Sequence, residues 1–153
     1  MRIEDILKIN ANISLPKSVI VNVLYTNGLI NAELNKALKP SDVSLQQFNV
    51  LRILRGQNGV AASLSDVQER MITKMSNTTR LVDKLIKKGL VEKQINKKNK
   101  RKIDISITAE GLSFLSDIDI LIENKEVEMV SALSDKEATE LIRLLSKLRL
   151  IAD

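Results

Sequence analysis

The stretch "SNTTRLVDKLIKKGLVEKQINKKNKRKIDISIT", Ser76 to Thr108, decides the fold. Up to Leu90 it reads as a helix: apolar Leu81, Val82 and Leu85 share one stripe, and Gly89 stands where a helix-ending glycine is expected. "LVEKQI" and "KIDISIT" then read as strands, because Ile103, Ile105 and Ile107 alternate with Asp104 and Ser106 at the period of a half-buried strand. Between the strands, Asn96 to Lys102 carries five cations. The stretch is therefore a helix followed by a hairpin with a charged tip.

Working outward, "SDVQERM" predicts a short helix from Ser65 to Met71, with Ser65 as N-cap and Gln68 at N3. The next helix is expected over roughly Lys74–Lys88. Two short helices across a tight turn, then a hairpin, make a winged helix-turn-helix over residues 44–108, its wing spanning 91–107. Before it, "SLQQFNVLRIL" pairs Ser44 and Gln47 at capping-box spacing and sets Leu45, Phe48, Leu51 and Leu54 three or four apart, until Gly56 and Gly59 break the chain.

The flanks also read as helices. "PKSVIVNVLYTNGLINAELNKALKP" opens with Pro16, suited to a first turn, and stops before Pro40. Its front half, "VIVNVL", is apolar on nearly every side, which predicts burial on two faces, in the chain's own core and against another chain, with a central helix of a monomer as the alternative. Thr108 is a good N-cap for a helix to about Leu133, and "LSDKEATELIRLLSKLRLI" is amphipathic, with Ser134 and Glu137 as a further capping box. The expected fold is one mainly α domain over residues 1–153, with a two-stranded wing and with residues 16–39 and 109–153 as dimerisation helices.

Composition narrows the chemistry. The 153 residues include no Cys and no His, so disulfides, Cys/His zinc sites and His-activated nucleophiles are unavailable. No phosphate loop or general-base pair is evident, so neither an enzyme nor a cofactor is expected. No run approaches the roughly 20 apolar residues that span a bilayer. "MRIEDILKIN" lacks the apolar run of a secretory signal, which leaves the cytoplasm as the expected compartment.

Charge is segregated. Residues 1–104 hold 19 basic and 9 acidic side chains, residues 105–153 hold 5 and 10, and between Lys84 and Lys102 nine basic residues accompany one acid, Glu92. A polyanion partner fits this layout. Basic segments that bind lipid carry large apolar residues beside the charge, and the tip has none, so a membrane is not the expected partner. Single-stranded nucleic acid needs stacking platforms, whereas the only aromatics, Tyr25, Phe48 and Phe114, stand at positions that read as buried. Duplex DNA fits best.

On the second helix Thr78, Leu81, Val82 and Leu85 form the inward stripe. Ser76, Asn77, Thr79 and Arg80 lie outside it near the N-terminus, with Lys84 a turn further on. Arg80 can fork onto guanine, Asn77 onto adenine, and the hydroxyls can reach bases or phosphates. Alone, these residues would describe a solvated helix face; the adjoining hairpin turns them into candidates for base contact. Lys97, Lys98, Lys100, Arg101 and Lys102 can meet phosphates or enter a minor groove. Each phosphate neutralised adds roughly 0.9 to the log–log salt slope.

The strings "LQQFNVLRIL", "SLSDVQERM", "TTRLVDKLIKKGLVEK", "KRKIDISITAEG" and "LSDKEATELIRLL" resemble those of MarR-type transcriptional regulators in order and spacing, from about Leu45 to the C-terminus. Val19–Leu38 is similar in character to that family's first long helix. The resemblance implies a triangular homodimer whose terminal helices interleave, reading pseudo-palindromic operators. It also implies that Asn99-Lys100-Arg101 stands where relatives carry Asp-Arg-Arg. Arg101 is then the minor-groove residue, and Asn99 cannot make the ion pair that braces the wing. Many relatives release DNA when a small aromatic anion binds; a small-molecule effector remains open here, while Cys-based sensing does not. The reading is of a cytoplasmic, dimeric, sequence-specific repressor, with a sequence-blind nucleoid-type binder and a winged-helix protein-interaction module as alternatives.

Overall fold

The computed structural model describes residues 3–8, 13–74, 77–96, 99 and 103–152. A short helix α1, Ile3–Ile6, precedes the long helix α2, Leu15–Leu38, which has Pro16 in its first turn. Pro cannot donate the hydrogen bond a helix interior needs, so Pro40 falls in a single 3-10 turn, Lys39–Ser41. Asp42 follows in the left-handed conformation, φ 53°. Helix α3, Leu45–Arg55, starts on the predicted capping box: the Ser44 hydroxyl accepts from Gln47 N–H at 3.2 Å, and Gln47 Oε1 accepts from Ser44 N–H at 2.9 Å. That reciprocal pair engages the side-chain oxygen and backbone N–H of Gln47, which is buried. Asn35 Oδ1 accepts from Leu45 N–H at 3.0 Å and fixes the end of α2 to the start of α3.

Beyond Gly59, at φ 84°, lie strand β1, Ala62–Ser63, helix α4, Leu64–Arg70, and helix α5, Thr78–Lys87. Gly89 takes φ 73° and ends α5 as predicted. Strands β2, Val91–Ile95, and β3, Ile103–Ile107, pair antiparallel from Val91↔Ile107 to Ile95↔Ile103. The wing was expected to have two strands. The sheet has three, in the order β1-β3-β2, because Ala62 pairs with Ile105. Two residues carry no periodicity, so nothing in the sequence marks β1 as a strand.

Helix α6, Ala109–Val130, is followed by α7, Asp135–Leu148, and a final 3-10 turn, Arg149–Ala152. Thr108 ties α6 to the base of the wing three times. Its N–H donates to Leu90 O at 3.1 Å, its hydroxyl donates to Gly89 O at 2.7 Å, and the same oxygen accepts from Gly111 N–H at 3.0 Å.

One core joins these pieces. Val50, Leu51 and Leu54 of α3, Val67 of α4, Val82 and Leu85 of α5, Val91 and Ile105 of the sheet and Leu115 of α6 are all buried in it. Each fully buried Leu contributes roughly 1.5–3 kcal/mol over exposure, so this cluster places α5 against the scaffold. Of the three aromatics, Phe48 is buried as expected, whereas Tyr25 and Phe114 are only half-buried in the chain. Among the described residues no helix is long and apolar enough to cross a membrane.

The terminal helices are the exception to good burial. Leu24 of α2 is 64% exposed and Ile142 of α7 is 64% exposed, and α7 buries none of its residues against the rest of the chain.

Candidate nucleic-acid interface

The helix-turn-helix is built from capping chemistry that the sequence offers twice. Ser65 and Gln68 have capping-box spacing, and so do Ser63 and Asp66. The chain uses the second pair: Ser63 Oγ accepts from Asp66 N–H at 3.2 Å, and Asp66 Oδ2 accepts from Ser63 N–H at 3.0 Å. The predicted start at Ser65 is therefore two residues late. A carboxylate facing the N-terminal dipole is favoured over an amide there. β1 also ends at Ser63 and delivers it in extended geometry, φ −74° and ψ 159°.

Helix α5 begins at Thr78, four residues after the expected Lys74. Asn77 is its N-cap, and Asn77 Oδ1 accepts from Arg80 N–H at 3.1 Å. A forked adenine contact needs both ends of the amide, and one end is engaged in the cap. What Asn77 can offer outward without uncapping the helix is its NH2 group.

Thr78 is 5% exposed and faces the core with Val82 and Leu85, as predicted, while Leu81 is half-buried. Thr79, Arg80 and Lys84 are exposed. Lys87 is exposed as well, and Arg80, Lys84 and Lys87 fall four and three residues apart, on one face of α5. Among the described residues none of these three cations makes an ion pair. Lys87 was not singled out from the sequence; its spacing from Arg80 and Lys84 is the signal that could have found it.

The neighbouring charges do pair. Lys88 Nζ donates to the Asp42 carboxylate at 2.5 Å and to Asp42 O at 2.7 Å, which ties the C-terminus of α5 to the turn after α2. The Lys88 ammonium, by that hydrogen bond and its charge, holds the Asp42 carboxyl below its ordinary value. Lys93 of β2 pairs with Asp83 of α5 at 3.3 Å and links the helix to the wing.

Along the wing, Val91, Ile105 and Ile107 lie on the face turned to the core, while Ser106 Oγ donates to Glu92 Oε1 at 3.2 Å on the other face. At the distal end Asn96 Nδ2 donates to Asp104 Oδ2 at 2.8 Å, and Asn96 Oδ1 accepts from Asn99 N–H at 2.8 Å. Asn96 thus links Asp104 and Asn99, a role the sequence did not assign to it. Ser76, Lys97, Lys98, Lys100, Arg101 and Lys102 lie outside the described residues.

A cleft of about 160 Å³ opens between α2, α3 and α6, with Met71, Ile72 and Thr73 of the α4–α5 connection in its wall. Ile30, Leu34, Phe48 and Ile122 give it apolar walls, and Asn49 and Arg52 reach into its rim. The Arg52 guanidinium carbon stands 5.7 Å from the centre of the Phe48 ring. Among the described residues no three carboxylates gather where they could hold a metal ion.

The MarR family model matches residues 43–103, from the start of α3 to the beginning of β3. An HTH-type transcriptional regulator of Bacillus subtilis, YfiV, is 31% identical over 108 residues, which are 69% of this chain and 66% of that protein. The transcriptional repressor MprA of Escherichia coli is 27% identical over 114 residues, covering 74% of this chain and 65% of that protein. The chain therefore spans just under two thirds of both curated relatives. Among solved structures, a Cys-to-Ser variant of MarR from E. coli complexed with operator DNA superposes with a TM-score of 0.75 at 24% identity, over 88% of this chain and 94% of that one. Winged helix, order of elements and matched segment agree: the chain belongs to the MarR family.

Proposed function

We propose that the chain is a homodimeric, sequence-specific reader of duplex DNA that acts in the cytoplasm as a transcriptional repressor, and that it is not an enzyme. The observation that carries this is the face of α5. Arg80, Lys84 and Lys87 stand exposed and, among the described residues, without ion-pair partners, on a helix whose opposite side is locked into the core. Next to it in sequence, the loop between β2 and β3 carries five cations.

In this reading α5 lies in a major groove, with Thr79 and Arg80 closest to base edges and Lys84 and Lys87 on phosphates. Asn77 caps the helix and offers its NH2 to the DNA. Ser76 and the wing residues Lys97, Lys98, Lys100, Arg101 and Lys102 take their roles from the sequence, with Arg101 in the minor groove. The relatives' printed roles, a repressor and an operator complex, point the same way.

Residues 16–39 and 109–153 form the dimerisation region. An amphipathic helix that buries nothing in its own chain, as α7 does, needs another surface. The exposed apolar residues of α2 supply the matching one: Val19, Ile20, Val23 and Leu24. A two-fold dimer then presents two copies of α5 to two half-sites. The cleft between α2, α3 and α6 is where a small-molecule effector would act, because it separates the dimer region from the reading region.

Fluorescence anisotropy tests this on duplex DNA from immediately upstream of the protein's own coding sequence, against a scrambled duplex, at two salt concentrations. Preference for the upstream DNA that survives the higher salt is expected. Equal binding that collapses as salt rises would make the charge a sequence-blind grip and overturn the repressor reading.

A further inference from the structure

We infer that Gln68, a half-buried residue of α4, is the positioning residue of the reading helix. Its side-chain amide is the clamp that sets the first turn of α5 for base recognition.

The inference rests on a buried hydroxyl and on what meets it. Thr78 is the first residue of α5 and, at 5% exposure, one of the two buried polar side chains among the described residues. A buried hydroxyl without a partner is costly, and core positions of an amphipathic helix ordinarily avoid one. Thr78 Oγ1 donates to Gln68 Oε1. The other end of the same amide, Gln68 Nε2, donates to Lys74 O in the connecting turn. One side chain thus holds both the turn and the helix that follows it, using an acceptor and a donor at once.

The capping of α4 makes this available. Because Asp66 serves as the N3 partner of Ser63, Gln68 is released from the capping role its spacing suggested and lies two residues further along α4, where it reaches α5. Lys74 reinforces the turn from the opposite side, its ammonium donating to Glu69 O. The next residues are the ones proposed to read DNA. Asn77 caps α5 through Arg80 N–H, so any tilt of Thr78 moves Thr79 and Arg80 with it. Only an amide satisfies both bonds. A carboxylate could accept from Thr78 but would repel the Lys74 carbonyl, and an aliphatic side chain could do neither.

Gln68 touches no DNA in this account, so its removal acts on geometry and leaves the phosphate grip alone. The inference rests on the proposed DNA-reading function, and its test separates the two. Gln68→Leu, which keeps the volume, is compared with the unaltered protein by anisotropy on upstream and scrambled duplexes and by thermal unfolding. Expected is an about tenfold loss of affinity for upstream DNA with scrambled-DNA affinity unchanged within about twofold. Adding Thr78→Val, which removes the stranded hydroxyl, should recover part of the loss. An unchanged preference in Gln68→Leu would overturn the inference. So would a parallel loss on both duplexes that tracks a lower melting temperature, since that describes a merely structural residue.

If the unaltered protein shows no preference, the repressor reading falls, and amide exchange still decides the clamp. The Arg80 and Leu81 amides, bonded to Asn77, should exchange about tenfold faster in Gln68→Leu. Unchanged exchange would overturn the clamp on its own terms.

Discussion

Gly111→Ala should damage this protein more than the exchange of one hydrogen for a methyl suggests. Gly111 sits in the first turn of α6, where the helix passes over the base of the wing. An added Cβ would lie 2.1 Å from Leu90 O and 2.8 Å from Ile107 Cγ1. A relaxed contact needs roughly 3.5 Å, so α6 has to retreat by about 1.4 Å from backbone that cannot swing aside. That retreat stretches the Thr108 bonds to Leu90 O and Gly89 O, now 3.1 and 2.7 Å. Overpacking costs about 1–3 kcal/mol and each weakened bond about 1, against at most about 1 gained from alanine's helix propensity. The net is about 2–4 kcal/mol, which for a chain of this size lowers the melting temperature by about 5–15 °C. Circular dichroism of thermal unfolding reads it. Gly56→Ala is the control: its methyl would meet only the Ile53 and Arg52 carbonyl oxygens, at 3.4 and 3.5 Å. It should shift melting by no more than a few degrees. Melting of Gly111→Ala within about 1 °C of the unaltered protein would refute the packing argument.

Asn77→Ala removes the cap of α5 and should cost about 0.5–2 kcal/mol of stability, read in urea, as well as blurring the ranking of operator variants. An intact ranking would remove Asn77 from the reading surface. Arg101→Ala should weaken binding to all duplexes and reduce the log–log salt slope by about 0.9 per dimer contact; an unchanged slope would take Arg101 off the DNA. Because Lys88 depresses the Asp42 carboxyl, the pair stabilises the fold above the ordinary value of 3.8, and this contribution disappears as pH falls through the lowered one. Lys88→Met should return the Asp42 midpoint to its ordinary value in a carboxyl NMR titration, and a midpoint that does not move would exclude Lys88 as the cause. Leu24→Glu and Ile142→Glu each put a charge on an exposed apolar helix face and should yield monomers in sedimentation velocity. Intact dimers of both would displace the interface from α2 and α7.

The winged helix was legible because its signals are local. Ile103, Ile105 and Ile107 alternate, Gly89 ends a helix, and Ser44 with Gln47 starts one; each was found where the spacing put it. What was not legible depended on competition or on partners distant in sequence. Ser63–Asp66 and Ser65–Gln68 share capping-box spacing; the carboxylate of Asp66 and the strand that delivers Ser63 together decide for the first pair. β1 exists because Ala62 finds Ile105, more than 40 residues away. Tyr25 and Phe114 looked like core residues because aromatics usually are, but the chain's own helices leave both positions only half-covered. Within the site, the residue types of α5 announced themselves, whereas Asn96 and Gln68 act through bonds that no sequence spacing specifies.

The central claim is that a two-fold winged-helix protein reads base sequence in duplex DNA. Selection of tight binders from a random-sequence duplex pool tests it most directly. The account predicts enrichment of an inverted repeat whose half-site centres lie about one helical turn, roughly 34–36 Å, or a multiple of it apart. A selected pool with no common sequence, or a lone unrepeated element, would contradict it.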